Sequence, residues 1–254
     1  MNRKTVLLVV LVVAVAVGGI ALVKMLSPGV REVTRVASDM SFAPFEYIDE
    51  ETKEPAGFDI EIMQALGKAM DMKVEMVNTA WDGILPGLIA GNYDLVISAM
   101  TISDERVASV DFSDPYFATG QVIVVKQGDQ TVTEPKDLIS KRIGVQIGTT
   151  GHIAADKIEG ADVRPFQIAP DAFLALKAGQ VDAVVVDELV AIEELKANPD
   201  SVEIVGRPFT AEYYGIAIKK GNTELLKKVN KALAQIKADG TYDKIYEKYM
   251  DAEQ

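Results

Sequence analysis

The sequence predicts an α/β protein in which helices cover mainly parallel sheets, and three observations lead to this fold class. After Pro28-Gly29, short apolar runs alternate with amphipathic stretches, an order typical of strands joined by helices. A segment of helix, glycine turn and buried strand occurs twice. The length of 254 residues suits one large α/β unit or two modest ones, and the repeat favours two similar lobes.

The spacing of apolar residues places the individual elements. Ile62, Met63, Leu66 and Met70 recur at three and four residues and predict a helix over 58–70. Further helices are predicted over 81–90, 150–158, 172–178, a stripe from Leu225 to Ile236 capped by Asn222, and 241–250 after the Asp239-Gly240 break. Strands are predicted over 33–38, 73–77, 94–99, 121–126, 142–146, 182–186 and 215–219.

The repeated segment pairs residues 88–97 (LIAGNYDLVI) with residues 176–185 (LKAGQVDAVV). Each copy runs from a helix through Gly91 or Gly179 to an aspartate and a buried strand. The competing explanation is that such a connection is common, because glycine ends a helix easily in the left-handed conformation.

Composition excludes several classes of function. Arg3, Lys4 and Lys24 contribute +3 to a net charge of −12, so the chain after residue 30 carries −15 and would repel phosphate backbones. We therefore expect no nucleic-acid binding. With no cysteine and only His152, zinc, iron–sulfur and Ser-His-Asp sites lack residues, and we expect no metal and no cofactor.

The N-terminal thirty residues predict export. Arg3 and Lys4 precede an uncharged apolar run over 6–23, the pattern of a signal peptide. The run is nearly long enough to span a bilayer, and no clean Ala-x-Ala cleavage site precedes Ser27. A cleaved signal peptide and an uncleaved membrane anchor both remain open, and we expect a periplasmic or cell-surface protein.

Residues just after the two repeated strands predict a binding site, because ligands of open α/β sheets bind beyond the carboxyl ends of the strands. Ala99, Met100 and Thr101 follow the first strand and lead to Arg106, whereas Asp187 follows the second. A guanidinium that binds a carboxylate and a carboxylate that accepts from an ammonium together complement a zwitterion. The turn 144–151 adds Thr149 and Thr150 at a helix start, where free N–H groups favour an anion.

With these residues in view, the chain resembles the polar-amino-acid-binding proteins that serve ABC importers (extracellular solute-binding protein family 3), over about 33–250. The resemblance is carried, in order, by 43–47 (APFEY), 57–60 (GFDI), 81–88 (WDGILPGL), 100–106 (MTISDER), 111–116 (DFSDPY), 144–150 (GVQIGTT), 214–217 (YGIA) and 239–246 (DGTYDKIY). It implies a two-lobed periplasmic-binding-protein (Venus-flytrap) fold with the ligand between the lobes. The lobes would be 31–117 with 214–254, and 118–213, joined by crossings near 116–120 and 212–216.

The resemblance also implies roles for site residues. In similar proteins the residue matching Arg106 binds the ligand α-carboxylate, helped by those matching Thr101, Thr149 and Thr150, and the residue matching Asp187 binds the α-amino group. Residues matching Phe42 and Trp81 sandwich the ligand side chain, and those matching Asp39 and Gln146 line its far end. The competing roles are a surface ion pair for Arg106, helix caps for Thr149 and Asp187, and core packing for the two aromatics.

The expected ligand is an L-amino acid, with arginine or lysine ranked beside glutamine and acidic amino acids below them. Asp39 between two aromatic faces suits a cationic side chain. The expected partner is an ABC permease, and we expect a monomer and not an enzyme. The alternative is a cyclohexadienyl or arogenate dehydratase, to which the resemblance extends, with Glu188 as general acid.

Overall fold

The computed structural model describes residues 33–250, so the predicted signal peptide or anchor at 1–30 lies outside the described residues. Within 33–250, no helix combines the length and the apolar character needed to cross a bilayer.

Strands and helices alternate through most of the described chain. The strands are β1 (Thr34–Ser38), β2 (Ser41–Phe42), β3 (Glu46–Ile48), β4 (Pro55–Ala56), β5 (Val74–Asn78), β6 (Leu95–Val96), β7 (Val110–Phe112), β8 (Phe117–Thr119), β9 (Gln121–Lys126), β10 (Arg142–Gln146), β11 (Asp162–Phe166), β12 (Ala183–Asp187), β13 (Val202–Val205), β14 (Glu212–Tyr214) and β15 (Ala217–Lys219). The helices are α1 (Phe58–Ala69), α2 (Trp81–Ala90), α3 (Asp104–Ser109), α4 (Thr150–Asp156), α5 (Ala169–Lys177), α6 (Glu188–Ala197), α7 (Thr223–Ala238) and α8 (Thr241–Met250).

Two five-stranded sheets have the same arrangement, which confirms the two-lobed α/β fold. The first sheet has the order β5-β1-β6-β15-β7 and the second the order β11-β10-β12-β9-β13. In each, three parallel strands are followed by one antiparallel strand and a fifth strand paired antiparallel to it. We call the parts of the chain built on these sheets the first and the second lobe. Both lobes belong to the same compact unit of the chain, which begins at Thr34.

The repeated segment lies at the same place in both lobes. Gly91 and Gly179 end their helices with φ of 82° and 74°, the left-handed conformation that glycine adopts at little cost. The aspartate of each copy then accepts a hydrogen bond from the backbone N–H of an arginine on the neighbouring strand. Arg35 donates to Asp94 Oδ2 and Arg142 to Asp182 Oδ2, both at 2.9 Å. The repeat is therefore structural as well as sequential.

Two strands carry the chain between the lobes, at the predicted crossings. β8 leads from the first lobe into β9 of the second sheet, and β14 leads back into β15 of the first. The crossings pair antiparallel with each other, Thr119 opposite Glu212 and Phe117 opposite Tyr214. Each crossing enters its sheet from the edge where the parallel strands end, so β9 and β15 run antiparallel to their neighbours. The prediction of mainly parallel sheets did not specify these antiparallel strands.

Aromatic side chains pack where the crossings meet the first lobe. Phe45, Phe117 and Tyr214 contact one another edge to face or stacked, with ring centroids 5.1 to 5.7 Å apart. Gly57 closes this region because its backbone, at φ of 120°, passes close to the chain of Phe45. A Cβ at Gly57 would lie 2.3 Å from the carbonyl oxygen of Phe45, so no other residue fits.

The strand predicted over 94–99 is much shorter in the structure. β6 ends at Val96, and Ala99 has a φ of 42°, an uncommon conformation for a residue with a Cβ. The backbone N–H of Ala99 donates to Asp59 Oδ2 at 2.7 Å, and this buried bond holds the turn. Sequence periodicity does not report such a bond, because Asp59 lies forty residues away.

Candidate ligand-binding site

A cavity lies between the lobes, at the carboxyl ends of strands from both sheets. This is where ligands bind in open α/β sheets. The lining residues of the first lobe are Asp39, Phe42, Glu46, Trp81, Ser98, Ala99, Thr101 and Arg106, and those of the second lobe are Gln146, Thr149, Thr150 and Asp187.

Arg106 supplies the cavity with a buried cation. Ser103 caps α3 by accepting from the N–H of Arg106, which turns the side chain inward, and the residue is 9% exposed. Its guanidinium donates to the carbonyl oxygens of Thr101 at 2.8 Å and Gly148 at 3.3 Å. Burial lowers the pKa of Arg106, although the nearby carboxylate of Asp187 opposes this effect. A guanidinium has five N–H donors, so Arg106 has donors left for an anion.

Asp187 supplies the cavity with a buried carboxyl group. It ends β12, is 5% exposed, and accepts a hydrogen bond from the Tyr214 hydroxyl at 2.5 Å. It also stands at the N-cap position of α6, yet its side chain makes no capping hydrogen bond. Burial raises the pKa of Asp187 to about 6, against the opposing effect of the Tyr214 hydrogen bond. An ammonium group in the cavity would stabilise the charged carboxylate.

Arg106 and Asp187 thus belong to opposite lobes and line the same cavity. The competing roles of surface ion pair and helix cap do not describe their contacts. The arrangement can accept the carboxylate and the ammonium of one zwitterion, with contacts that exist only when both lobes are close.

Asp39 and Gln146 also meet across the cleft. Gln146 Nε2 donates to Asp39 Oδ2 at 2.8 Å, and the backbone N–H of Asp39 donates to Ser98 Oγ at 2.9 Å. The pKa of Asp39 is raised, chiefly by burial. Phe42 is 7% exposed and belongs both to the aromatic core and to the cavity wall.

Trp81 makes a contact that the sequence did not predict. The Arg106 guanidinium lies over its ring, 5.1 Å from the centroid. Trp81 therefore orients the cation of the site by a cation–π contact, in addition to forming part of the cavity wall.

The threonines of the site make contacts within the protein. Thr149 caps α4 by accepting from the N–H of His152 at 3.2 Å. The hydroxyls of Thr101 and Thr150 donate to Glu212 at 2.7 and 2.6 Å. Since each hydroxyl has one proton, an anion would meet the backbone N–H groups at the start of α4 and not these hydroxyl protons.

Met100 is the one predicted site residue whose side chain lies apart from the cavity. It is fully buried and packs in a core cluster with Ile84 and Leu88, while its carbonyl accepts from the N–H of Gly215. Glu188, considered above as a general acid, is likewise not among the lining residues.

Sequence reasoning missed Glu46 and Ser98, which line the cavity. Ser98 was detectable, because it lies near the carboxyl end of the strand predicted over 94–99. Glu46 carried a weaker signal, as a charged residue between the aromatics Phe45 and Tyr47.

Glu46 belongs to a buried network beneath the cavity. Its Oε1 accepts from Ser98 Oγ at 2.8 Å, and its pKa is raised well above the usual range by burial and by the nearby charge of Asp59. Asp59 accepts from the N–H of Ala99 and the hydroxyl of Tyr116, both at 2.7 Å, and burial raises its pKa to about 6. The charge of Asp59 disfavours the charged form of Glu46, so Glu46 holds its proton the more tightly of the two. Within 33–250, no group of three or more His, Asp or Glu side chains is arranged to hold a metal ion.

The family model of the bacterial extracellular solute-binding proteins, family 3, matches residues 34–252. The chain belongs to this family. The expected membership is thereby confirmed, and as an extracellular solute-binding protein the chain acts outside the cytoplasm.

The relatives of this family-3 protein are binding proteins. A probable histidine-binding protein of Neisseria gonorrhoeae is 39% identical over 232 residues, covering 89% of this chain and 85% of that protein. Two solved structures of an ancestral arginine-binding protein, bound to arginine and to glutamine, are 47% and 46% identical. They have TM-scores of 0.85 and 0.81, and each comparison covers 87% of this chain, with 100% and 99% of theirs.

The crystal structure of AncCDT-1, an ancestral amino acid-binding protein and a precursor of cyclohexadienyl dehydratase, is 43% identical with a TM-score of 0.81, covering 86% of this chain and 96% of that chain. Here too the relative is a binding protein. This family-3 chain is accordingly a solute-binding protein and not an enzyme.

Proposed function

We propose that the protein binds a polar L-amino acid between its lobes and delivers it to an ABC transporter. Arg106 binds the α-carboxylate, together with N–H groups at the start of α4, and Asp187 binds the α-ammonium. The observation that carries the proposal is that these two oppositely charged groups, each from a different lobe, line one cavity. The relatives described above are named for the amino acids that they bind, which supports the proposal.

Closure of the lobes is the proposed link between binding and delivery. The lobes are taken as 31–117 with 214–254, and as 118–213, moving about the crossings β8 and β14. A ligand that contacts both lobes stabilises their closed arrangement, and a permease distinguishes that arrangement from the open one. We further propose that the protein acts as a monomer and is either released or held at the membrane by its N-terminal segment.

Arginine or lysine and glutamine are the proposed ligands. Asp39, at the end of the cavity opposite Arg106 in the expected binding mode, complements a cationic side chain, and Gln146 beside it can bond an amide. Within residues 33–250, Arg106 is the only cationic residue that lines the cavity. An acidic ligand side chain would therefore meet no second cation there. An ancestral relative with bound arginine and bound glutamine supports treating these ligands as near equals.

A thermal-shift screen against the twenty amino acids tests the proposal, because a ligand that binds only the folded state raises its melting temperature. Calorimetric titration of the best ligand then compares the wild type with Arg106→Ala. Removing a buried partner of a charged ligand group costs about 2 to 5 kcal/mol, so affinity should fall at least about tenfold. No shift with any amino acid, or equal affinities of the two proteins, would contradict the proposal.

A further inference from the structure

Glu212 connects the two lobes at the crossing β14. Its Oε2 accepts hydrogen bonds from the hydroxyls of Thr101 at 2.7 Å and Thr150 at 2.6 Å, and its Oε1 accepts from Thr210 at 2.8 Å. Thr101 belongs to the first lobe and Thr150 to the second. One carboxylate oxygen of Glu212 therefore bonds both lobes at once.

The hydrogen bonds of Glu212 lie directly behind the cavity wall. Glu212 is not among the lining residues, whereas Thr101 and Thr150 both are. The carboxylate is 8% exposed, so water competes little for its hydrogen bonds, and bonds to a charged acceptor are among the stronger ones. Opening the lobes would separate Thr101 from Thr150, and Glu212 would then keep at most one of them.

We infer that Glu212 is a positioning residue that maintains a closed population of the ligand-free protein and fixes Thr101 and Thr150 at the Arg106 end of the cavity. Its effect on ligand affinity rests on the proposed function. Its effect on closure does not, because all its contacts are made within the protein. If ligand binds the closed form, the apparent affinity falls in proportion to the closed fraction.

Distance measurement without ligand tests this inference. The chain has no native cysteine, so Ala90→Cys and Lys157→Cys place spin labels at exposed positions near the outer ends of α2 and α4, in opposite lobes. Pulsed electron paramagnetic resonance on the full-length chain, in mild detergent, gives the ratio of short to long distances.

In Glu212→Ala we expect that ratio to fall about tenfold, because both links between the lobes are lost. Glu212→Gln, whose amide oxygen still accepts, should keep most of the closed population. Thr210→Val is the matched control, since Thr210 lies two residues from Glu212 and links no second lobe. A ligand-free wild type that is entirely open, an unchanged ratio in Glu212→Ala, or an equal fall in Thr210→Val would overturn the inference.

Thr150→Val provides a second test that leaves the carboxylate in place. Thr149, and not Thr150, caps α4, so this substitution removes a donor without removing the cap. Thr150→Val should open the lobes when introduced into the wild type. It should have little further effect when added to Glu212→Ala, because Glu212→Ala already removes the hydrogen bond between Thr150 and Glu212. Additive effects would overturn the inference. A failed amino-acid screen would refute the proposed function but leave these distances unaffected.

Discussion

In the proposed binding mode, the Asp187 carboxyl group should make binding depend on pH. Burial raises its pKa to about 6, and a bound ammonium would lower it. A zwitterionic ligand therefore binds the deprotonated form, so affinity should be full above about pH 7 and fall by up to about tenfold per pH unit below pH 6. Calorimetric titrations from pH 5 to 8, in buffers of different ionisation enthalpy, would measure both the affinity and the released proton.

Asp187→Asn is the control for that prediction. The amide keeps the shape of the side chain but has no proton to release, so binding should be weaker and less dependent on pH. The groups around Asp187 are the Tyr214 hydroxyl, Gln121, the carboxylate of Glu212 and the guanidinium of Arg106, and burial outweighs those that favour the charged form of Asp187. An affinity in the wild type that is constant from pH 5 to 8 would show that the ligand ammonium binds elsewhere.

Asp39 should decide between ligands of different charge. Asp39→Asn removes a buried negative charge while its remaining oxygen can still accept from Gln146. Losing the partner of a buried cation costs about 2 to 5 kcal/mol. The amide side chain of glutamine would only exchange one hydrogen-bond partner for another, which costs less. Arginine affinity should therefore fall by more than about tenfold and glutamine affinity by less, measured by titration of each. Equal losses would mean that Asp39 does not contact the distal end of the ligand.

The site was predictable to the extent that it follows strand ends and motifs. Arg106 and Asp187 came from their positions after repeated strands, and the structure brings them to one cavity. The side chain of Met100 was misplaced because Ala99, at φ of 42°, redirects the chain after β6. Glu212 escaped notice as a functional residue because its partners lie 111 and 62 residues away, and sequence spacing does not encode such contacts.

At the scale of single elements, Gly83 within α2 and Gly91 directly after it have opposite requirements. Gly91 ends the helix at φ of 82°, and a Cβ there would meet nothing nearer than 3.9 Å, so the cost of Gly91→Ala is a matter of backbone conformation. We expect a loss of about 1 kcal/mol in the free energy of unfolding. Gly83 lies within the helix, where an added Cβ would meet nothing within 4 Å, and Gly83→Ala should raise stability by about 0.5 to 1 kcal/mol.

Urea unfolding of both variants measures these changes, and Gly83→Ala serves as the matched control for Gly91→Ala. If both substitutions changed the free energy of unfolding in the same direction, the left-handed conformation at Gly91 would not be the reason for its effect. Gly179, which ends the repeated segment of the second lobe at φ of 74°, should respond as Gly91 does.

The bounds of an element were predicted correctly where its apolar residues alone mark where it begins and ends. α2 and β9 have the predicted bounds, because an apolar stripe or a continuous apolar run marks them. α5 begins at Ala169, three residues before its predicted start, with Pro170 in its first turn, a position that proline favours. β6 was overestimated because the chain leaves the sheet soon after Val96: the N–H of Ile97 still donates to the Ala37 carbonyl of β1, but Ala99 turns away at φ of 42°.

At the scale of the whole molecule, buried carboxyl groups connect the site to the packing of the first lobe. From Asp39 the hydrogen bonds run through Ser98 to Glu46, whose partner Asp59 holds Ala99 and the hydroxyl of Tyr116 at the first crossing. A change of protonation in this network therefore acts on the cavity wall and on the crossing together.

This network predicts that the folded protein is more stable at pH 5 than at pH 7.5. The pKa values of Asp59 and Asp187 are both raised to about 6, chiefly by burial, so the folded state binds protons more tightly than the unfolded chain. The stabilisation is fully present below the unfolded value near 4 and is lost as pH rises through 6. Between pH 7.5 and 5 each group should contribute on the order of 1 kcal/mol, measured as a rise in melting temperature without ligand.

Asp59→Asn should reduce this slope, because the amide still accepts from Ala99 but no longer titrates. Asp49→Asn is the matched control: hydrogen bonds from Thr52 lower the pKa of that exposed carboxyl group, so its contribution is lost only in more acidic solution, as pH falls below about 4. The control should therefore shift stability without changing its dependence on pH between 5 and 7.5. A wild-type melting temperature that falls on acidification through this range would mean that the buried carboxyl groups are charged in the folded protein.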